Sequence, residues 1–190
     1  MKGLIYLAAE LETFFKEKGW KFCFIGGLAI QRWGMPRLTD DVDITLLTGF
    51  GNEEKFIYPI LEKFKGRISN PAEFAIRQRV LLVENDQGIG IDIAMAGLPF
   101  EEGAVERATP YEYLPGIYLT VCSAEDLLVM KAFANRPDDW ADIRQVIARN
   151  MAELKWDYIQ TQLKPLCELK EDLEIVPRLL KLRKEVEDSE

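Results

Sequence analysis

The amino-acid sequence predicts an α+β fold in which a small mixed β-sheet, flanked by helices, precedes a helical C-terminal part. Short apolar runs separated by turn residues occur up to residue 122, whereas the pattern from residue 123 onward is helical. Hydrophobic residues make up 48% of the chain and charged residues 29%, which is typical of a protein with a buried core. We therefore expect an α/β core over residues 1–122 and a helical part over residues 123–190 that packs on it.

Helices and strands alternate in the first part of the predicted core. Leu4, Leu7 and Leu11 recur at helical spacing within residues 4–18, which predicts a helix. The apolar run 21–25 predicts a strand that ends at a glycine pair. The pattern then predicts a short helix over 28–33, a strand over 41–47 and an amphipathic helix over 53–65.

The second part of the core carries the signature of a β-hairpin. Residues 74–76 and 79–84 read as one strand, residues 85–88 as a turn, and residues 89–95 as the returning strand. Residues 111–122 carry a further strand signal. Ser123, followed by acids in the next turn, then caps the first C-terminal helix. Three more helices are predicted, over 137–147, 151–164 and 169–187.

Composition excludes several classes of chemistry. The chain contains no histidine, so Ser-His-Asp catalysis, Cys-His catalysis and imidazole zinc sites are excluded. A net charge of -8 argues against a protein whose whole surface binds nucleic acid. The remaining chemistry must use carboxylates, Lys, Arg, Tyr, Ser or Thr, together with a hard metal ion.

The cysteines and the N-terminus indicate a cytoplasmic protein without membrane contact. Cys23, Cys122 and Cys167 are odd in number and lack metal-ligand spacing, which is typical of a reducing compartment. Glu10 and Glu12 come too early for a signal peptide. No apolar run reaches the roughly 18 residues of a membrane span.

Asp41 and Asp43 lie two residues apart in a predicted strand, so their side chains point to the same face. Neighbouring carboxylates repel each other unless a cation lies between them, and oxygen ligands suit Mg²⁺. Asp92 interrupts another apolar strand, where an acid is costly unless it is paired or metal-bound. If the two strands are adjacent, the three acids converge on a site that suits two metal ions and phosphoryl transfer.

Gly26 and Gly27 form a turn between a predicted strand and a predicted helix. Such a turn presents backbone N–H groups to an anion, and the missing side chains let a phosphate approach closely. The chain has neither a Walker A motif nor a GxGxxG motif.

These motifs resemble those of the nucleotidyltransferase fold of the DNA polymerase β superfamily. There, a Gly-Gly or Gly-Ser pair precedes an Asp-x-Asp motif and a later carboxylate on a neighbouring strand; here thirteen residues separate Gly27 from Asp41. The string Arg-Leu-Thr-Asp-Asp-Val-Asp-Ile, which starts at Arg37, looks more narrowly like the AbiEii/AbiGii toxin family. The resemblance covers roughly residues 20–148 and implies both the fold and nucleotidyl transfer.

The resemblance also implies a role for each candidate residue. Asp41 and Asp43 would hold Mg²⁺ and the triphosphate, while Asp92 would act as general base or hold a second Mg²⁺. In this family a lysine on a later helix, followed by an aspartate, completes the site; Lys131 matches the lysine, and Asp142 matches the aspartate better than Asp139 does. The implied nucleotide-binding residues are Gly26, Gly27, Arg37, Thr39, Lys131 and Asp142.

The same resemblance implies something more specific for three of these residues. Arg37 and Thr39 would brace the acidic loop or touch phosphate. Gly27 stands where many members have serine, so that only backbone donors remain there.

Each candidate also has a purely structural interpretation. The acids could line a solvated strand, and Gly26 with Gly27 could be a simple turn. Lys131 could extend from an apolar helix face into solvent, and Asp142 could be an acid that the dipole at a helix N-terminus stabilises. Arg37 could pair with Asp40.

The sequence leaves alternative functions open. Asp41 to Thr45 also fits the DxDx[TV] motif of haloacid-dehalogenase-like phosphatases, although there the nucleophile ends a buried strand and here the apolar strand follows it. A non-catalytic module of the same fold, binding nucleotide or a protein partner, is the second alternative.

The favoured prediction is a Mg²⁺-dependent nucleotidyltransferase that moves a nucleoside monophosphate from an NTP to an acceptor hydroxyl. The resemblance suggests a bacterial toxin, with an antitoxin protein as a partner. The acceptor stays open among an RNA 3′ end, a protein side chain and a small molecule. Basic residues that could offset the acidic balance toward RNA are Arg144, Arg149, Arg178, Lys181, Arg183 and Lys184.

Overall fold

The computed structural model describes residues 2–189, which contain nine α-helices and seven β-strands. The strands are β1 (Phe22–Phe24), β2 (Asp41–Leu47), β3 (Lys65–Gly66), β4 (Val80–Glu84), β5 (Gly90–Ala96), β6 (Thr109–Leu114) and β7 (Ile117–Val121). The helices are α1 (Lys2–Glu17), α2 (Gly26–Trp33), α3 (Glu54–Lys63), α4 (Pro71–Gln78), α5 (Pro99–Arg107), α6 (Ala124–Ala134), α7 (Pro137–Asn150), α8 (Trp156–Leu169) and α9 (Ile175–Glu187).

The seven strands of residues 2–189 form one mixed sheet in the order β3-β4-β5-β2-β1-β7-β6. Strand β2 runs antiparallel to β1 and parallel to β5, and β1 runs parallel to β7. The pairs β4–β5 and β6–β7 are antiparallel hairpins. A mixed sheet with helices before, between and after its strands confirms the predicted fold class.

The centre of the sheet positions the acids. In β2, Val42 and Ile44 are fully buried, and in β5 Ile91 and Ile93 are fully buried, whereas the aspartates between them are half-buried. Because side chains alternate along a strand, these apolar residues share one face and the aspartates share the other. Burial of the apolar face therefore fixes which way the acids point.

Contacts within the chain divide it into two compact units. The first comprises the chain up to Leu28 together with Leu38–Cys122, and it contains the whole sheet. The second comprises Ala29–Arg37 together with the chain from Ser123 onward. The segment that follows the glycine pair thus groups with the C-terminal helices, and the domain boundary after residue 122 stays a prediction.

Helix α1 is joined to the sheet by a buried acid. Glu12 is only 6% exposed, and its carboxylate accepts hydrogen bonds from the backbone N–H of Thr120 at 2.9 Å and from the Thr120 hydroxyl at 2.6 Å. The apolar side of α1 buries Leu4, Leu7 and Leu11, as the helical spacing predicts.

Three predictions of local structure were wrong. Residues 74–76 belong to helix α4, because Pro71 occupies its first turn and the left-handed residue Arg79 ends it, so that extended chain begins only at Val80. The predicted helix over 151–164 begins five residues later, at Trp156, after a turn. The predicted helix over 169–187 begins six residues later, at Ile175, because residue 169 still belongs to α8 and a turn follows it.

Helix α5 and strand β3 were not predicted. Helix α5 starts with Pro99, and the Glu101 carboxylate accepts hydrogen bonds from the backbone N–H groups of Gly97 and Leu98, both at 2.8 Å. Its weak amphipathic pattern explains why periodicity missed it. Strand β3 is two residues long and begins within the segment assigned to the preceding helix.

None of the helices within residues 2–189 combines the length and the apolar character needed to cross a bilayer.

Arg79 connects the loop after β2 to the end of β5. Its guanidinium pairs with Glu53, donates to the carbonyl oxygens of Met95 and Gly49, the latter at 2.8 Å, and lies 4.3 Å from the ring centroid of Phe50. These hydrogen bonds join the loop to the end of β5, so the side chain acts as a clamp on the loop.

We expect Arg79→Ala to lower the free energy of unfolding by about 2–3 kcal/mol, because it removes several charge-assisted hydrogen bonds and leaves Glu53 unpaired. Urea unfolding would measure this loss. Arg77→Ala is the matched control, since Arg77 is exposed and its ion pair is with Glu73, one turn away on the same helix; it should cost less than about 0.5 kcal/mol. Equal losses in the two variants would contradict the role assigned to Arg79.

Candidate active site

Three carboxylates converge on one face of the sheet. Asp43 on β2 lies directly opposite Asp92 on β5 in the parallel register, and Asp41 lies opposite Gly90. One carboxylate oxygen from each of Asp41, Asp43 and Asp92 lies within 4.8 Å of the other two. The strand adjacency that the sequence analysis required is therefore present, and the role of the acids as metal ligands stays a prediction.

The glycine pair sits against the second acid. Gly26 has a φ of 53°, and a Cβ on it would lie 1.9 Å from Asp43 Oδ2. The backbone N–H of Gly27 donates to the same oxygen over a long 3.4 Å. Both residues begin α2, so the helix start meets a carboxylate of this chain, and only a residue without a side chain fits at position 26.

Thr39 covers the other glycine and braces the first acid. Its hydroxyl donates to Asp41 Oδ1 at 3.2 Å, and a Cβ on Gly27 would lie 2.4 Å from this hydroxyl oxygen. A serine at position 27 would therefore collide with Thr39 unless the threonine moved. The role that the resemblance implies for Thr39, bracing the acidic loop or touching phosphate, stays a prediction.

Arg67 is a site residue that the sequence analysis missed. Its guanidinium forms a salt bridge with Asp92, and its backbone N–H donates to the carbonyl of Leu82 at 3.0 Å. Burial raises the pKa of Asp92, the charge of Arg67 opposes this effect, and the charge of Asp41 adds to it. No sequence motif marks Arg67, because its position depends on the short strand β3.

A second charged cluster lies in the second compact unit. Lys131 on α6 is 6% exposed, and its ammonium lies 2.8 Å from carboxylate oxygens of both Asp139 and Asp142 on α7. Arg37 pairs with Asp142 through two hydrogen bonds of 3.1 Å, and Arg136 pairs with Asp139 at 2.8 Å. Lys131, Asp142 and Arg37 are thus joined directly, and Asp139 belongs to the same network.

The charges in this cluster are mutually stabilised. Burial opposes ionisation of Asp142, but hydrogen bonds and charges from Arg37 and Lys131 outweigh it and lower the pKa of this carboxyl. Burial likewise opposes ionisation of Asp139, and Arg136 and Lys131 lower its pKa. The hydrogen bonds that Arg37 donates to Asp142 raise the pKa of Arg37. Lys131 therefore neutralises carboxylates of its own chain, and its predicted contact with phosphate stays a prediction.

The mixed sheet, the sheet face with the three aspartates and the adjacent glycine pair are features of the nucleotidyltransferase class. A sequence profile of the family described as nucleotidyl transferase AbiEii toxin, type IV toxin–antitoxin system, matches residues 7–181. The chain belongs to this AbiEii family, which confirms the resemblance drawn from the motifs. A search of curated proteins found no match.

Several solved structures resemble the chain, and three of them are described here. An antigenic nucleotidyltransferase-like protein from Paracoccidioides brasiliensis has a TM-score of 0.54 at 17% identity, over 95% of this chain and 93% of that one. The antibiotic-resistance factor ANT(2'')-Ia has a TM-score of 0.55 at 17% identity, over 90% and 93%. The lincosamide antibiotic adenylyltransferase LnuA, with lincomycin bound, has a TM-score of 0.50 at 14% identity, over 77% and 96%. At these identities the likeness shows the fold.

The family membership establishes the chain as a nucleotidyltransferase. The phosphatase alternative finds no support, because Asp41 is the first residue of β2. A haloacid-dehalogenase-like nucleophile would instead end a buried strand.

Lys131 provides a test of the second cluster. Lys131→Met leaves two buried carboxylates without their shared cation, so it should lower the free energy of unfolding by roughly 3 kcal/mol at pH 7. Because the pKa values of both carboxyls are lowered in the folded protein, their stabilisation exists above the unfolded pKa and is lost as the pH falls through the folded values. The difference between variant and wild type should therefore shrink on acidification below about pH 4.

Urea unfolding at a series of pH values would measure this difference, with Lys164→Met, on the exposed side of α8, as the control. A loss that is independent of pH would mean that Lys131 stabilises the protein through packing alone.

Proposed function

We propose that this nucleotidyltransferase moves a nucleoside monophosphate from an NTP to an acceptor hydroxyl in a Mg²⁺-dependent reaction. The observation that carries the proposal is the convergence of the Asp41, Asp43 and Asp92 carboxylates within 4.8 Å, beside a glycine helix start. In the reaction, the acceptor oxygen forms a bond to the α-phosphorus. The bond between the α-phosphorus and the oxygen that bridges it to the β-phosphate breaks, and pyrophosphate leaves.

The residues present fit a hard divalent cation. The donor set consists of carboxylate oxygens, which Mg²⁺ prefers over nitrogen or sulfur. The carboxylates are half-buried and close enough to repel one another, so a cation between them would relieve the repulsion. Asp41 and Asp43 would hold one cation, and Asp92 would complete a site for a second. When bound, Mg²⁺ would neutralise the triphosphate and polarise its phosphoryl oxygens.

Asp92 is also the candidate general base. Burial raises the pKa of its carboxyl, which makes the ionised form a better proton acceptor than an exposed aspartate. In this role a carboxylate oxygen of Asp92 takes the proton of the acceptor hydroxyl as the oxygen attacks. Its partner Asp43, directly opposite, faces Gly26 and would stay with the nucleotide side of the site.

The glycine turn and its neighbours would receive the phosphates. The N–H of Gly27 makes only a long hydrogen bond to Asp43, so an incoming phosphate oxygen could replace it. Thr39 would keep Asp41 oriented through its hydroxyl. For the second unit we retain the implied roles: Lys131 would neutralise phosphate charge, Arg37 would brace the acidic loop or touch phosphate, and Asp142 would complete the site.

The family description supports a further proposal, that the chain is the toxin of a toxin–antitoxin pair whose partner is an antitoxin protein. The acceptor is an RNA 3′ end, a protein side chain or a small molecule. LnuA, one of the similar structures, holds the small molecule lincomycin. For RNA, the second unit offers a groove of about 460 Å³ lined by Arg144, Arg178 and Lys181, although Arg144 pairs with Glu185 there.

Label transfer tests this function. Each of the four α-³²P NTPs would be incubated with the protein, Mg²⁺ and a bacterial extract, and label would be followed into RNA, protein and small molecules. We expect one NTP to label one class of acceptor, and the Asp41→Asn/Asp43→Asn variant to reduce labelling by at least about 10²-fold, because charge stabilisation at a phosphoryl centre is of that size.

The matched control is Asp40→Asn, which removes an acid next to the motif whose side chain is exposed. Labelling that survives in the double variant would contradict the proposed role of the two acids. Absence of label with every NTP and every acceptor class would favour a nucleotide- or partner-binding module of the same fold.

A further inference from the structure

Arg67 places a permanent positive charge within the acid cluster. The guanidinium contacts Asp92, the acid that the proposed function assigns to the second cation or to the acceptor hydroxyl. We propose that Arg67 is a resident counter-cation, which neutralises Asp92 while no divalent cation is bound and must leave Asp92 when one binds there. The inference rests on the proposed function, since it concerns the same acids, but it makes a separate claim about binding.

The geometry fits a group that can move. The backbone of Arg67 is held by its hydrogen bond to Leu82, so the start of the side chain is fixed beside β4. The side chain is 29% exposed, and so the guanidinium can reach solvent without unpacking the core. A long flexible side chain on a fixed backbone position can release one partner and take another.

A missing side chain makes room for this contact. Gly90 lies opposite Asp41 in the parallel register, and a Cβ on it would lie 2.7 Å from Arg67 Nη1. The guanidinium therefore occupies space that any other residue at position 90 would restrict. Gly90 is the first residue of β5 and has no positive φ, so its backbone conformation does not require glycine. The close approach of Arg67 is the structural reason for a glycine at this position.

The contact between Arg67 and Asp92 affects how strongly a cation can bind. Carboxylates that share one face repel each other, and the guanidinium offsets this repulsion in the absence of metal. A divalent cation that binds Asp92 must displace the guanidinium of Arg67. The displaced guanidinium stays nearby, and its positive charge repels the bound cation. Arg67 therefore weakens the binding of a free cation while it stabilises the metal-free protein.

Direct binding of Mn²⁺ tests the proposal. Isothermal titration calorimetry without nucleotide would compare wild type with Arg67→Gln. We expect Arg67→Gln to bind Mn²⁺ about tenfold more tightly, because a unit charge a few ångströms from the site is removed and is only partly screened. Lys65→Gln is the matched control: it removes the same charge two residues away, from an exposed lysine that pairs with Glu84, and should change affinity less than about twofold.

Gly90→Ala is a second variant, which keeps every charge and displaces the guanidinium. It should also tighten Mn²⁺ binding, and it keeps the proposal testable if Arg67→Gln does not fold. Affinities in both variants that equal or fall below that of wild type overturn the role of Arg67, while the proposed function stands if wild type binds Mn²⁺. Absence of Mn²⁺ binding in all variants overturns both the metal dependence and this inference.

Discussion

The site depends on the parallel pairing of β2 with β5. This register sets Asp43 opposite Asp92 and Asp41 opposite Gly90, while Val42 and Ile44 pair with Ile91 and Ile93 on the buried face. Burial of the apolar side chains offsets the repulsion among the carboxylates on the other face. A slip of one residue would turn the acids into the core, so the register that stabilises the sheet also assembles the acid cluster.

Missing side chains shape the space around this cluster. Gly26 leaves room for the carboxylate of Asp43, Gly27 leaves room for the side chain of Thr39, and Gly90 leaves room for the guanidinium of Arg67. In each case a Cβ would lie less than 3 Å from the neighbouring side chain. The glycines therefore allow polar groups to pack closely. Gly26 also adopts a positive φ, which glycine adopts without strain.

Much of the acid site could be predicted from the sequence, because its signals are local. The alternation of Asp41, Val42 and Asp43 fixes a shared face, and Asp92 is conspicuous in an apolar strand. Arg67 could not be predicted, since its contact depends on a two-residue strand that periodicity does not reveal. The prediction of a strand at residues 74–76 was wrong because it rested on a short apolar run. Pro71 instead starts a helix that includes these residues. The partners of Lys131 likewise depend on packing between helices.

A crystal structure with Mn²⁺ and a non-hydrolysable NTP analogue would test the proposed metal centre, with the metal located by its anomalous scattering. We expect an anomalous peak within about 2.1–2.3 Å of carboxylate oxygens of both Asp41 and Asp43, with the triphosphate against Gly26 and Gly27 at the start of α2. Ordered nucleotide whose metal contacts neither aspartate would contradict the central claim that these carboxylates form the catalytic centre.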